Sequence, residues 1–159
     1  MKKDKIIFII LTAILLGSVI STAQFSIYNP NEYVEMNVLN IFETKIMFGN
    51  NCTAILARTS EERAKDIQLG QQEIIDGRPN VYDTFSEVLN NFEIELEAVL
   101  IQNVDDDYFY SDMIFRTDDK VLRLDTRPSD AIAVVLRTES KVYINKTLLE
   151  EQGIDICSE

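Results

Sequence analysis

The sequence predicts an α+β fold, in which a mostly antiparallel sheet packed with helices forms a single domain preceded by an N-terminal hydrophobic helix. The order of the segments supports this class, because strand-like segments follow one another in groups instead of alternating with helices. The chain has 159 residues, which corresponds to about one domain with a core of its own. Its first segment is apolar and differs in composition from the rest.

This first segment is uncharged and follows a short basic start that contains Lys2, Lys3 and Lys5. Residues 6–23 have about the minimum length of a membrane-spanning helix, but small residues near position 23 also suit a signal-peptide cleavage site. We therefore interpret residues 1–28 as a signal anchor (transmembrane helix) or a signal peptide. Because basic flanks stay cytoplasmic, we expect a single-pass membrane protein with its domain outside the cytoplasm. The alternative is secretion after cleavage.

The domain begins with a predicted pair of strands. Residues Tyr33–Phe42 alternate between apolar and polar side chains, as a strand with one buried face does. A turn is expected at residues 49–51, and residues 52–57 have the composition of the returning strand.

Two helices follow this pair. Ser60 is a suitable N-cap for a first helix that extends to about residue 75. Asp83 or Thr84 is expected to cap a second helix, which ends near Phe92. Apolar residues recur in the first helix at roughly helical spacing, so one face of it can pack on a sheet.

Three strands and a second helical region complete the predicted domain. The strands are expected at residues 94–104, Tyr108–Arg116 and 120–125, with acidic turns between them. After the segment described next, Val142–Asn145 has the composition of a short strand, and residues 147–152 form a helix that Gly153 ends.

Residues 125–138, with the sequence DTRPSDAIAVVLRT, place two carboxylates and a guanidinium at the start of one helix. Pro128 suits a first helical turn, where its missing N–H costs nothing. An acidic residue such as Asp130 complements the positive end of the helix dipole. The pattern is compatible with a structural cap held by ion pairs and with a polar functional site.

Cysteine and histidine counts limit the chemistry that is available. Cys52 and Cys157 are the two cysteines; export would make a disulfide possible, but the sequence favours two unpaired thiols with Cys52 in the core. The absence of histidine excludes a Ser-His-Asp triad, a Cys-His pair and histidine-ligated metals. A general base therefore has to be a carboxylate, a lysine or a tyrosine.

The net charge of −12 argues against a generally basic, nucleic-acid-binding surface. Such a chain repels phosphate backbones at long range. An enzyme that acts on nucleic acid and carries this net negative charge needs a local basic patch, a bound divalent cation, or both.

Residues 125–138 together with residues 141–154, KVYINKTLLEEQGI, closely resemble the bifunctional nuclease domain family. The acidic helix around residues 61–67 is similar to the family's first helix. The resemblance covers the domain at residues 33–155. Where the family usually has a glycine-proline turn and a histidine, this chain has Thr59-Ser60 and Tyr82.

The resemblance implies a nuclease that cleaves DNA and RNA, with Mg²⁺ or Mn²⁺ as the implied cofactor. On this interpretation Asp125, Arg127 and Asp130 are the catalytic residues, and Asp125 and Asp130 are the metal ligands. Arg127 binds phosphate through its planar guanidinium, and Arg78 and Arg137 join it in binding the substrate.

The alternative is a non-catalytic, membrane-tethered interaction module. Here the same charged segment is a structural joint at a contact between subunits. A small domain with exposed strand edges is expected to form homo-oligomers under either interpretation.

Overall fold

The computed structural model describes residues 27–158, which form one eight-stranded sheet with four α-helices on one of its faces. The strands are β1 (Tyr33–Phe42), β2 (Lys45–Asn50), β3 (Thr53–Arg58), β4 (Glu95–Asp105), β5 (Tyr108–Arg116), β6 (Val121–Thr126), β7 (Val142–Asn145) and β8 (Ile154–Asp155). The helices are α1 (Glu61–Gln71), α2 (Val81–Asn91), α3 (Pro128–Val135) and α4 (Lys146–Gln152). This confirms the α+β class and the mostly antiparallel sheet.

The strand order is β6-β5-β4-β7-β1-β2-β3-β8. Every neighbouring pair is antiparallel except β4 and β7, which are parallel. Helix α3 is part of the connection from the edge strand β6 to the inner strand β7, so it crosses the face of the sheet. This crossing places the first turn of α3 beside α1 and α2.

The main core lies between the sheet and the helices. Helix α3 is buried along Ala131–Val135 because it packs on β4 and β5 below and on α1 and α2 beside it. The opposite face of the sheet carries a smaller cluster around Ala98, Leu100 and Ile114, against which Ile27 and Tyr28 pack. The helix face therefore supplies most of the apolar burial that stabilises the fold.

Three predicted strands have the bounds that the structure shows, namely Tyr33–Phe42, Tyr108–Arg116 and Val142–Asn145. Strands β2 and β8 were not predicted. Gly49 was expected in a turn but lies inside β2, where a Cβ atom would sit 2.6 Å from the carbonyl oxygen of Thr53. The close approach of the Thr53 backbone therefore explains why position 49 is a glycine. The turn follows at Asn51, which has φ of 52°.

Both helix predictions in the first half need correction at one end. Helix α1 starts after Ser60 as predicted but ends at Gln71, because Glu73 takes a left-handed backbone with φ of 56°. The N-cap of α2 is Asn80, and neither Asp83 nor Thr84 caps it. Asp83 instead accepts from the Asn80 backbone N–H and so closes a capping box.

Cys52 and Cys157 form a disulfide, so the prediction of two unpaired thiols was wrong. Cys52 is exposed, because it lies in the turn before β3 and not in the core. The two cysteines meet because the two residues of β8 pair with the start of β3.

The predicted N-terminal hydrophobic helix, within residues 1–28, lies almost wholly outside the described residues. Among the helices of residues 27–158, none combines the length and the apolar character that crossing a membrane requires.

Candidate functional site

The first turns of three helices converge on the carboxylate of Asp130. Arg63 is the third residue of α1, Tyr82 is the second residue of α2, and Asp130 is the third residue of α3. Their side chains meet although they come from distant parts of the chain, because α3 crosses the sheet between the other two helices.

Asp130 accepts hydrogen bonds from two side chains and forms an ion pair with a third. The hydroxyl of Tyr82 donates to its Oδ1 at 2.6 Å, and Arg63 Nε lies 3.3 Å from the same oxygen. Arg127 Nε donates to Oδ2 at 2.6 Å. Both carboxylate oxygens therefore have close donors, two of which are positively charged.

Local sequence explains why each helix begins at this point. Ser60 accepts from the backbone N–H of Arg63, and Asn80 accepts from the N–H groups of Tyr82 and Asp83. These caps fix the starts of α1 and α2. Helix α3 begins with Pro128 and has no side-chain cap at Arg127. The Arg127 side chain is 67% exposed and extends toward solvent.

A second, buried ion pair joins the same helices beneath Asp130. Arg137 Nε donates to Asp83 Oδ1, and Arg137 Nη1 donates to the carbonyl oxygens of Asp66 at 3.1 Å and Ala133 at 2.8 Å. The Arg137 side chain is only 8% exposed. Gly70 of α1 leaves the space that this guanidinium needs, since a Cβ there would collide with it. Arg137 thus connects α1, α2 and α3.

The environment shifts two pKa values in this region. Burial and the hydrogen bond to Asp130 raise the pKa of Tyr82 well above its ordinary value, so its hydroxyl stays a donor at neutral pH. Burial of Asp83 acts to raise its pKa, but the hydrogen bonds from Arg137 and Asn80 and the Arg137 charge outweigh it. The net result is a lowered pKa, and Asp83 is ionised at neutral pH.

Positive groups lie at the solvent side of this cluster beside several carboxylates. Three helix N-termini contribute partial positive charge, and Arg63 and Arg127 add two full charges. Asp130 offsets one of them, and the exposed Glu61 and Glu62 of α1 lie in the same turn as Arg63. The formal charges of these five side chains sum to −1, so attraction of an anion depends on the helix N-termini and on how far each arginine is exposed.

The family model described as "Bifunctional nuclease domain" matches residues 49–157 of this chain. The chain belongs to the bifunctional nuclease domain family. The matched range contains the whole Asp130 cluster, the buried Arg137–Asp83 pair and both cysteines of the disulfide. It begins within β2, later than the predicted start of the domain at residue 33, and ends beyond the predicted limit at residue 155.

Two uncharacterized proteins from two strains of Mycobacterium tuberculosis are similar to this bifunctional nuclease domain chain. Each is 29% identical to it over 99 residues, which is 62% of this chain and 58% of the relative. The chain thus matches little more than half the length of these curated relatives.

The structure brings some of the predicted site residues together and separates others. Arg127 and Asp130 are in direct contact. Asp125 is the register partner of Asp112 and points from the sheet face opposite to the helices, whereas Asp130 lies in the helix layer. The two carboxylates that were expected to share a metal ion therefore have no shared partner within residues 27–158.

The two other arginines predicted to bind substrate differ in accessibility. Arg78 lies exposed in the connector between α1 and α2. Arg137 is buried, and its guanidinium already contacts Asp83, Asp66 and Ala133. Arg137 therefore joins three helices, and its buried guanidinium already has partners there.

The donors around Asp130 do not fit the divalent ion that the family resemblance implied. Both of its oxygens accept from cationic or hydroxyl donors, and Asp125 lies on the other face of the sheet. Over residues 27–158, no group of three or more acidic, cysteine or histidine side chains is arranged to hold a metal ion. The residues around Asp130 therefore do not form a site for a catalytic metal ion.

Arg63 and Tyr82 belong to the site but were not among the predicted site residues. A signal for Tyr82 was present in the sequence, since it occupies the position where the family usually has histidine. Arg63 had no comparable signal, because its charge is one of many in the first helix. Its role depends on the packing of α1 against α3.

A separate cleft of about 1090 Å³ lies on the other side of α2, between α1, α2 and the start of β4. Its walls carry more acidic than basic side chains, among them Glu73, Glu87, Glu97 and Glu139. The hydroxyl of Ser86 is buried at its wall and has no hydrogen-bond partner within residues 27–158. This acidic cleft is unsuited to a phosphate backbone.

Proposed function

We propose that this domain is a nuclease that hydrolyses phosphodiester bonds of DNA and RNA, with its site at the Asp130 cluster. Membership in the bifunctional nuclease domain family carries the proposal. The convergence of three helix N-termini and two arginines on one carboxylate supports the location, because this is the region of the described chain where phosphate binding is physically favoured.

In this proposal Arg127 makes the first phosphate contact. Its side chain is two-thirds exposed, and its guanidinium is held at one nitrogen by Asp130, so the rest of the planar group can face a phosphate. Arg63, which is partly exposed on the other side of Asp130, completes a clamp. Arg78 is available for a more distant phosphate of a bound strand.

Asp130 has two roles in the proposal. It orients both guanidiniums before substrate binds, and among residues 27–158 it is the carboxylate that forms ion pairs with both of them. When Arg127 turns toward a phosphate, Oδ2 of Asp130 loses its donor and can accept a proton from the water that attacks phosphorus. The P–O bond to the leaving oxygen breaks as the new P–O bond forms, and the leaving oxygen takes up a proton from solvent. We also propose that cleavage requires Mg²⁺ or Mn²⁺. The placement of Asp125 on the other face of the sheet does not support an ion held between Asp125 and Asp130.

We also propose that the domain acts outside the cytoplasm, anchored by its N-terminal segment or secreted after cleavage. The disulfide between Cys52 and Cys157 supports this location, since disulfides persist in oxidising compartments. The basic residues before the apolar segment favour the same orientation.

The proposal is tested by cleavage of end-labelled single-stranded DNA and RNA by the full chain in mild detergent, with Mg²⁺, Mn²⁺ or EDTA. Cleavage is expected in the unmodified protein and a loss of roughly 100-fold in Asp130→Asn, since removing a proton acceptor typically costs this much. Arg127→Gln is expected to weaken substrate binding, measured by fluorescence anisotropy of the labelled strand.

Lys120→Gln is the matched control for Arg127→Gln. It also removes one exposed positive charge, but Lys120 precedes β6 at the opposite end from α3. Its cleavage and binding should equal those of the unmodified chain. No cleavage above background in any metal, or equal cleavage by all variants, contradicts the nuclease proposal.

The second candidate is a non-catalytic module that assembles with other copies. The exposed apolar side chains on α2 and β6 favour it. The two candidates are separable, because a nuclease loses activity with Asp130 and an assembly module does not.

A further inference from the structure

The acidic cleft between α1, α2 and the start of β4 has two buried polar atoms in the residues of its wall that lack a hydrogen-bond partner. These atoms are Ser86 Oγ and Arg137 Nη2, and neither has a partner within residues 27–158. Ser86 is 4% exposed, and the Arg137 side chain is 8% exposed. Buried polar atoms nearly always have partners in folded proteins. A ligand bound in the cleft would supply the partners that are missing here.

The two atoms belong to the same wall of the acidic cleft. Arg137 Nε donates to Asp83, and Ser86 follows Asp83 by three residues, so both α2 side chains lie on one face of that helix. Arg137 Nη1 is occupied by two backbone carbonyl oxygens, which leaves Nη2 as the donor without a partner. Because a guanidinium and a hydroxyl both donate, a carbonyl or carboxylate oxygen is the ligand group that fits this wall.

The acidic cleft also has an apolar wall that is open to solvent. Ile74 and Ile75, in the connector after α1, are 48% and 58% exposed. Leu69, Ile94 and Leu136 line the same cleft. A ligand with apolar side chains would remove these groups from water, which is favourable in proportion to the area covered.

Carboxylates outnumber cations around the acidic cleft. Six acidic and two basic residues line it, which gives a formal net charge of −4. Asp83, Glu97 and both basic residues form ion pairs. Glu73, Glu87 and Glu139 are exposed and form no ion pair within the part of the chain that the structure describes. This charge distribution is complementary to a positively charged ligand.

We propose that the acidic cleft binds a peptide segment in which basic residues alternate with apolar ones. The basic side chains pair with the three unpaired glutamates, and the apolar side chains cover Ile74 and Ile75. Backbone carbonyl oxygens of the peptide accept from Ser86 Oγ and Arg137 Nη2. The proposal does not depend on nuclease activity, because the Asp130 cluster does not line this cleft.

The size of the acidic cleft supports a peptide over a small amine. Its volume is about 1090 Å³, whereas sites for small molecules are roughly 300–1,000 Å³. A small amine would pair with the glutamates but would leave the two isoleucines exposed and the donors of Ser86 and Arg137 without acceptors. A peptide carries the cationic, apolar and acceptor groups together.

The first test is fluorescence anisotropy of a labelled hexapeptide of alternating lysine and leucine, titrated with the full chain in nonionic detergent and with protein-free micelles as the blank. Saturable binding is expected, and it should weaken as salt screens the exposed glutamates. Peptides with serine for leucine, or with glutamate for lysine, should bind about tenfold or more weakly. No saturable binding overturns the proposal. Equal binding of the lysine–serine peptide also overturns it, in favour of hydrophilic amines.

The second test places the peptide on the protein. Glu87→Lys reverses an exposed charge of the acidic cleft and should raise the dissociation constant of the lysine–leucine peptide by about tenfold. Glu151→Lys makes the same change on the exposed side of α4, which does not line the cleft, and should leave the constant unchanged. Equal effects of the two variants, or no effect of Glu87→Lys, overturn the location.

The third test separates a binding role of Ser86 from a structural one. Ser86→Ala removes a hydroxyl without a partner, so the urea midpoint of the free chain should not fall. The same variant should raise the dissociation constant of the lysine–leucine peptide roughly 2–10-fold, which corresponds to one hydrogen bond. Arg137 is unsuitable for this test because it joins three helices. A lowered midpoint, or unchanged peptide binding, overturns the contact between Ser86 and the peptide.

Discussion

Tyr82 donates its hydroxyl hydrogen to Asp130 over 2.6 Å, and this contact joins the first turn of α2 to the first turn of α3. The position of Tyr82 is one where the resemblance to the family would place a histidine. In this chain a tyrosine with a raised pKa occupies it, so the group next to Asp130 is a permanent donor at neutral pH. In this contact Asp130 is the hydrogen-bond acceptor.

Replacing Tyr82 by phenylalanine should lower the free energy of unfolding by about 1.5–3 kcal/mol, the usual loss of a hydrogen bond to a charged group. Arg63 and Arg127 remain to balance the carboxylate, so the fold should persist. Urea unfolding measures the change. Tyr110→Phe is the control, because Tyr110 is exposed, and its change should stay within about 0.5 kcal/mol. If both variants lost the same unfolding free energy, the hydrogen bond from Tyr82 to Asp130 would not stabilise the fold.

Replacing Arg137 by methionine should destabilise the domain far more, by about 3–5 kcal/mol, because the substitution leaves the carboxylate of Asp83 buried without its partner. Thermal unfolding followed by circular dichroism measures this. Lys65→Met removes an exposed ion pair with Asp76 and should leave the unfolding temperature unchanged. An unchanged unfolding temperature in the Arg137 variant would contradict the joining role of this residue.

The stabilising effect of the Asp83–Arg137 pair should depend on pH. The pKa of Asp83 is lowered in the folded state from its ordinary value of 3.8, so the folded protein binds the proton less readily than the unfolded chain. The pair therefore contributes its full stabilisation of the folded state when the pH is above the ordinary pKa of 3.8. This stabilisation decreases as the pH falls from there through the lowered pKa. The difference in unfolding free energy between the unmodified chain and Asp83→Asn, measured at several pH values, should shrink in acid. If this difference in unfolding free energy grew as the pH fell, the prediction would be contradicted.

Reducing the disulfide should lower the free energy of unfolding by about 2–5 kcal/mol, because the bond closes a long loop between residues 105 positions apart. Urea unfolding with and without a reductant measures the loss. The Cys52→Ser/Cys157→Ser double variant is the control and should be insensitive to reductant. A chain whose stability is the same in both conditions would indicate that β8 needs no covalent attachment to β3.

Much of the backbone could be predicted from the sequence. The alternation of apolar side chains identified Tyr33–Phe42, Tyr108–Arg116 and Val142–Asn145, and Ser60 and Pro128 marked two helix starts. Strands β2 and β8 were not predicted, and α1 ends earlier than predicted. Strand β8 has two residues, too few for a pattern, and β2 contains a glycine that resembles a turn signal.

The candidate site could be predicted in part. Arg127 and Asp130 are close in sequence and meet within one helical turn, so a local pattern was enough to connect them. Asp125 was expected beside Asp130 for the same reason. It points to the other face of the sheet because side chains alternate along β6 up to the point where α3 begins.

The α+β class, the position of most strands and helices, and the family resemblance could all be read from the amino-acid sequence, because they depend on periodicity and on residues that are neighbours in the chain. The tertiary structure alone decided that Tyr82 meets Asp130 and that Cys52 meets Cys157, pairs that are 48 and 105 residues apart. Such contacts depend on the order of the strands and on the path of α3 across the sheet. Local patterns carry little information about either, because the free energy that selects them comes from burial summed over the whole core.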